Sequence, residues 1–309
     1  MDRDYEVVVA GGGIAGLTAG LASARLGRKT LVLTGDVLGG HLLSIEKIEG
    51  YPGFPEGVPG YDLCPMAQEQ AVAAGAELAA TELIRLDALD GAWRLATGEG
   101  EIAAHAVILA TGTHLKELGV PGEARLRGKG VSHCASCDAP LLRGKVAAVI
   151  GGGDSAMQEA LTLAGSEARV VILHRGKALS GQASFRDRAT QHEKIELRFE
   201  SVVEEILGAD GVTGVRLKGG EAIEAAGVFV YVGLEPNTAF LDGMLKLDRA
   251  GRILTDGEMR TALAGLCAAG TVRAGASGRA VASAGDGTAA ALAADRYLAD
   301  GAWTGETHG

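Results

Sequence analysis

Several things are scarce in this chain, and each shortage closes a class of function. Cysteine is scarce: four in 309 residues is too few for a disulfide framework, and in a reducing compartment any disulfide would be transient or catalytic. Positive charge is short as well. Lys and Arg number 29 against 39 Asp and Glu, a formal net charge of −10, which argues against nucleic acid and anionic membrane as partners because both require clustered cations. No apolar run approaches the length of a membrane span. The first residues, "MDRDYEVVVAGGG", are acidic and run straight into an apolar strand, without the basic region, apolar core and cleavage site of a leader. These absences lead us to expect a soluble, cytoplasmic protein.

Glycine is abundant. There are 48 glycines against 7 prolines, a balance that favours tight backbone approaches to a ligand over disorder. The chain is 47% hydrophobic, ample for a core, and its length suggests two domains. In "YEVVVAGGGIAGLTAGLASARLGRKTLVL" the apolar strand Val7, Val8, Val9 leads into Gly11, Gly13 and Gly16 in G-x-G-x-x-G spacing. Leu17, Leu21 and Leu26 follow on roughly helical spacing. Such a turn lets a pyrophosphate approach unpaired N–H groups at a helix N-terminus. The second strand ends at Thr34, where an acid ordinarily grips a ribose; Asp36 lies beyond it. The unit recurs in "KVAAVIGGGDSAMQEALTLAGSEARVVILHR", with strand 146–150, turn residues Gly151, Gly153 and Ala156, a helix over 156–164 and strand 170–173. Two further strands, 106–110 and 228–232, stop at Thr111-Gly112 and at Gly233. An alanine-rich helix is expected over 279–298, and the ends, 1–4 and 303–309, read as tails.

The stretch "VSHCASCDAP" puts Cys134 and Cys137 three apart with Asp138 directly behind. A metal clip, a structural staple and a reversible redox switch all use such a pair. A zinc clip needs four ligands, and no second CxxC exists. Cysteines at i and i+3 can close a small, reducible disulfide, and a helix N-terminus lowers a thiol's pKa. Asp138 is then a candidate acid and base, with His133 beside it. Cys64, in an apolar helical stretch, and Cys267, inside a strand, read as small core residues.

With these parts in order, the chain resembles the low-molecular-weight thioredoxin reductases almost end to end. "GGGIAG", "LTGDVLGGHL", "EGYPGFPEGVPG", "ATGT", "GVSHCASCD", "VAAVIGGGDSAMQEA", "VGLEPNT" and "ASAGDGTAAALAADRYL" follow that family's order and spacing. The resemblance implies an α/β fold of two Rossmann-like, three-layer ββα nucleotide-binding domains, the second inserted in the first. It puts an FAD domain at 1–114 and 242–309, and a pyridine-nucleotide-like domain carrying the CxxC disulfide at 115–241. It places Gly11, Gly13, Ala15, Gly16, Thr34, Gly39, Gly40, His41, Thr111, Gly112, Gly270, Thr271, Arg279 and Ala280 around FAD. Gly151, Gly153, Asp154, Ser155, His174, Arg175 and Gly233 fall around the second nucleotide. It makes Cys134–Cys137 a redox disulfide, with Cys137 toward the flavin, Cys134 attacking the substrate and no metal. It further implies a thioredoxin-like protein or a small-molecule dithiol or disulfide as partner, a homodimer, and rotation of the inserted domain about stretches near 112–118 and 238–243.

The chain departs from the family at the second nucleotide. The usual His-Arg-Arg and the further Arg four positions on become His174, Arg175, Gly176 and Ser180. Charged hydrogen bonds are worth roughly 1.5–3 kcal/mol each, so losing two weakens NADPH by orders of magnitude unless Lys177 or Arg186 substitutes. On the flavin side, His41, Gly50, Thr271 and Ala280 stand where Gln, Asn, Asp and Gln are usual; the expectation is that FAD still binds, in an altered hydrogen-bond setting. Three functions follow as expectations. They are a thioredoxin-reductase-like FAD enzyme; an NAD(P)H-independent relative, either a dithiol oxidase using oxygen or a ferredoxin- or flavin-linked disulfide reductase; and a non-enzymatic flavin-binding redox sensor.

Overall fold

The structure, a computed structural model, describes residues 4–303. Asp4 already opens a strand, and Trp303 stacks edge-on against Tyr297 with ring centroids 5.3 Å apart. Both are therefore fixed, although they were expected in tails; the remaining tail positions lie outside the described residues. The chain forms two compact units, Met1–His114 with Glu235–Gly309, and Leu115–Leu234.

In the first unit the strand Asp4–Ala10 is central, parallel to Thr30–Leu33 on one side and Gly100–Leu109 on the other. Its buried run of Val7, Val8 and Val9 is what a parallel strand covered on both faces requires. Successive side chains point to opposite faces. Val7, Val9, Ala106 and Ile108 accordingly pack with Ala15, Ala19, Ala290 and Ala294 of the helices Ile14–Arg25 and Ala280–Asp300. Val8, Ala10, Val107 and Leu109 pack with Leu86, Trp93 and Leu95 of an antiparallel layer. The strand expected at 106–110 reaches back to Gly100 because its first half pairs antiparallel with Ala92–Thr97. Leu266–Ala268 pairs with its second half.

The second unit repeats the three layers. Its parallel sheet, centred on Val146–Gly151, sends Ala147, Val149, Ile172 and Phe229 toward Met157, Ala160 and Leu163 of the helix Asp154–Gly165. It sends Ala148, Ile150, Val171 and Val230 toward the antiparallel strands Val203–Leu207 and Gly214–Leu217. The expected fold class, two Rossmann-like ββα units with one inserted in the other, is what the structure has.

The connections between the units are two short strands, Thr113–Leu115 and Leu234–Pro236, paired with each other. The chain thus returns to the first unit at 234/235, ahead of the 241/242 expected. Asn237 already bonds to Thr111 there, and Leu241 is buried in that unit's core.

The helices Ile14–Arg25 and Ala280–Asp300 meet closely. A methyl group on Gly287 would come 2.2 Å from the Ala15 carbonyl oxygen, whereas one on Gly285, in the same helix, meets nothing within 4 Å. Gly287→Ala should therefore lower stability by about 2 kcal/mol or more through overpacking. Gly285→Ala should raise it by roughly 0.5–1 kcal/mol through helix propensity. Urea midpoints of the two variants check this pair of opposite signs.

Candidate functional site

The first glycine turn is shaped by backbone contact. Gly11 has φ +127°, and a methyl on it would stand 2.1 Å from the Ala110 carbonyl oxygen; one on Gly16 would stand 1.8 Å from the Gly11 carbonyl oxygen. Gly13, by contrast, faces open space. The helix it introduces has no acid in its first turn and no side-chain cap, so its leading N–H groups remain available to an anion.

The other expected flavin-side residues gather on this turn. Gly39 N–H donates to the Gly12 carbonyl at 2.8 Å, Gly40 backs onto Gly13, and Gly270, with φ +76°, backs onto Ala15. Thr271 lies 3.2 Å from Thr113, hydroxyl to hydroxyl, and faces Gly112. Ala280 shares an apolar cluster with Ile14. His41 is the second residue of the short helical turn Gly40–Ser44, and its carbonyl accepts from the Ser44 hydroxyl. Arg279 is exposed at the N-cap of the long helix. Thr34 is buried, and its hydroxyl turns away to the Gly35 and Ala79 carbonyls.

Two side chains that hold this arrangement, Asp286 and Asn237, were not singled out from the sequence, and a third, Cys64, was expected only as core. Asp286 is buried in the alanine-rich helix; it accepts the Gly270 N–H at 3.1 Å and takes two bonds from Arg273 at 2.6 and 2.8 Å. A lone acid on the apolar face of such a helix was the available signal, since an acid there requires a partner. Asn237 spans the strand end: its amide donates to the Thr111 carbonyl, the Thr111 hydroxyl donates to its carbonyl, and its N–H donates to Gly112. Cys64 points its thiol at the Gly39 carbonyl, 3.6 Å away, so it braces the glycine pair as well as filling core.

The second turn shares the spacing and differs in chemistry. Gly151 has φ +149° and Gly153 faces open space. Asp154, however, stands in the first turn of the helix and accepts the Gln182 N–H at 2.6 Å, and a negative charge there opposes a second anion. The His174 ring lies against Gly152, at 2.3 Å from a methyl built on it, and edge-on to Phe199. Ser180 donates both its N–H and its hydroxyl to the Gly152 carbonyl. Arg175 and Ser155 are exposed, and Lys177 is 4.0 Å from Glu200. Gly233, with φ +126°, lies two residues past the end of the strand Gly227–Tyr231, which stops one residue short of the 228–232 expected. The backbone suits a dinucleotide, but these side chains form no cation cluster for a 2′-phosphate.

Cys134 and Cys137 are joined as a disulfide at the start of the short helix Ala135–Asp138. Cys137 is exposed and Cys134 half-buried. The Cys137 N–H points at Cys134 Sγ, 3.3 Å away, and the Ser136 hydroxyl lies 3.4 Å from the same sulfur. Asp138 is half-buried behind them, and the His133 ring meets the Val230 carbonyl at 3.0 Å. Among the described residues no group of three or more His, Cys, Asp or Glu is placed to hold a metal, and no helix is long and apolar enough to cross a membrane.

Two glycine turns on inserted ββα units, with a CxxC disulfide on the second, are the layout of a known family. Residues 5–287 match the pyridine nucleotide-disulphide oxidoreductases. The chain belongs to that family. It is similar to a thioredoxin reductase of Treponema pallidum, 38% identical over 303 residues that cover 96% of this chain and 98% of the relative. It is also similar to a bifunctional thioredoxin reductase/thioredoxin of Mycobacterium leprae, 40% identical over 304 residues, 96% of this chain and 66% of that protein. The crystal structure of a Lactococcus lactis thioredoxin reductase superposes with a TM-score of 0.91 at 36% identity, covering 96% and 99% of the two chains. The protein is accordingly a thioredoxin-reductase-like flavoprotein, an FAD-dependent disulfide oxidoreductase, and the acid-free first turn, with its bracing loops, suits FAD.

The remaining thiols have no such setting. Burial pushes the Cys64 thiol up to about 11, and burial followed by nearby Asp256 pushes Cys267 far above the ordinary thiol range. At neutral pH both stay protonated, and the thiolate is the reactive form. After reduction, iodoacetamide should modify Cys134 and Cys137 while leaving Cys64 and Cys267 intact until urea unfolds the protein. Peptide mass spectrometry reads the difference.

Proposed function

We propose that the protein moves two electrons between FAD and the Cys134–Cys137 disulfide and exchanges them with a thioredoxin-like protein. The observation that carries this reading is an accessible CxxC disulfide whose first sulfur already has an N–H and a hydroxyl beside it. The residues of the first glycine turn would hold FAD, which would supply a two-electron carrier. Opening the disulfide takes up two electrons and two protons and leaves two thiols, with Asp138, aided by His133, moving the proton at the sulfur. The Cys137 N–H and Ser136 hydroxyl favour a thiolate on Cys134, which attacks the partner's disulfide to give a mixed disulfide. Cys137 then attacks that bond, releasing the partner as a dithiol and restoring Cys134–Cys137. The relative that joins reductase and thioredoxin in one chain supports the choice of partner. The reading puts the protein in the cytoplasm, as a homodimer.

A second reading rests on Asp154 and the sparse cations at the second turn: a small-molecule dithiol gives up two electrons and two protons and leaves as its disulfide, and oxygen takes both up as hydrogen peroxide.

An anaerobic titration of the yellow protein tests both. Dithiothreitol should bleach the flavin at near-stoichiometric amounts, and Cys137→Ser should lose that response while retaining FAD. NADPH should bleach it only in large excess, and Ser180→Arg should lower the required excess roughly tenfold, the worth of one charged hydrogen bond. Mixed with oxidised thioredoxin, Cys137→Ser should hold it as a covalent adduct through Cys134. A protein that binds no flavin, or a dithiol form that leaves thioredoxin oxidised, sinks the leading reading; in the latter case rapid oxygen consumption with dithiothreitol supports the second.

A further inference from the structure

Beneath the disulfide turn lies a buried acid that the chemistry above does not use. Glu159, on the helix Asp154–Gly165, is only 7% exposed. One of its carboxylate oxygens accepts the Ala135 N–H at 3.0 Å, and Ala135 is the residue directly after Cys134. The same oxygen lies 3.4 Å from the Tyr231 hydroxyl. Tyr231 ends the strand Gly227–Tyr231 and is itself buried. Burial first, and then Glu159, holds its phenol well above the ordinary range, so it remains a donor at neutral pH.

The disulfide turn has few ways to hold its shape. Its helix is four residues long, too short for its leading N–H groups to find helical partners. Each captured group has a separate acceptor: Cys134 N–H goes to the Ser132 hydroxyl at 3.1 Å, Ala135 N–H to Glu159, Cys137 N–H to Cys134 Sγ, and Asp138 N–H to the Cys134 carbonyl. Of these acceptors only Glu159 comes from a distant part of the sequence, and only Glu159 is an acid. Its partners Ala135 and Tyr231 both belong to an apolar cluster that includes Ala139, Met157, Leu163 and Phe229. Ionisable groups facing this region include Tyr231, Asp138, which acts on Tyr231 through its charge, and His133, bonded to Val230.

We propose that Glu159 is a positioning residue for the redox disulfide: it fixes the backbone between the two sulfurs, and its negative charge sets how readily the disulfide is reduced. Its carboxylate occupies an N–H that would otherwise favour a thiolate on Cys134, and negative charge nearby disfavours that thiolate further. Removing the charge while keeping an acceptor should therefore stabilise the reduced form at neutral pH. Tyr231 supports the carboxylate with its hydroxyl.

This inference rests on the redox reading of Cys134–Cys137, and its test separates the two. The purified, FAD-bound full chain is equilibrated anaerobically in glutathione buffers of set composition, and the fraction of Cys134 and Cys137 in the dithiol form is read by alkylation and mass spectrometry. If the wild-type pair stays oxidised at every composition, the redox reading fails. Given a wild-type transition, Glu159→Gln should shift the dithiol–disulfide equilibrium roughly tenfold toward the dithiol, the equivalent of about one pKa unit, and should speed alkylation of Cys134 at pH 7. Tyr231→Phe should shift it in the same direction by less. A folded Glu159→Gln protein with an unmoved equilibrium overturns the proposal and leaves Glu159 as scaffold. Should that variant fail to fold, an unmoved equilibrium in Tyr231→Phe overturns it in the same way.

Discussion

The approach of backbone to backbone at Gly11 and Gly16 is the constraint on which the flavin side depends. With 1.8 Å between a built methyl on Gly16 and the Gly11 carbonyl oxygen, no other residue allows the helix Ile14–Arg25 to start so close behind its strand. That closeness aims the first N–H groups of the helix at open space beside Gly13. It also sets the helix near enough to Ala280–Asp300 that Gly287 must lack a side chain. Catalytic layout and core packing thus share one geometric requirement, and a larger residue at either position disturbs both.

The loops that complete the site are held by buried hydrogen bonds, because loops carry few apolar contacts of their own. Asp286 fixes Gly270 in its left-handed conformation while being neutralised by Arg273. Asn237 closes the strand end at Thr111 and Gly112 with both its main chain and its amide. A buried acid or amide left unpaired costs more than its bond gains, so each such side chain tolerates one arrangement of its loop. The Thr271–Thr113 contact follows from these two clasps.

The features legible in the sequence were those with a period or a spacing. The buried valines of Asp4–Ala10, the two glycine turns, the CxxC pair and the core roles of Cys64 and Cys267 could all be read before any coordinates. Element ends were less legible: Gly100–Leu109 runs longer than its apolar half because a hairpin partner, invisible to periodicity, pairs with the rest. Partners distant in sequence were least legible. Asp286 and Arg273, Asn237 and Thr111, and Glu159 and the Ala135 N–H meet only through the fold, and nothing local in the sequence pairs them.

The two glycine turns also show how far a motif carries. Both have the strand, the spacing and a following helix of similar length, and both leave the middle glycine, Gly13 or Gly153, facing open space. What separates them is the charge at the helix start and the side chain lying over the turn: Gly12 backs onto Thr34, whereas Gly152 is covered by the His174 ring, with Asp154 at the first helical position. An anion meeting the first turn finds N–H groups and no opposing charge; at the second it finds a carboxylate already bonded to Gln182. The glycines therefore specify that a phosphate chain can approach, and the residues around them decide whether binding it is favourable. In this protein that distinction favours an anion at the first turn over one at the second.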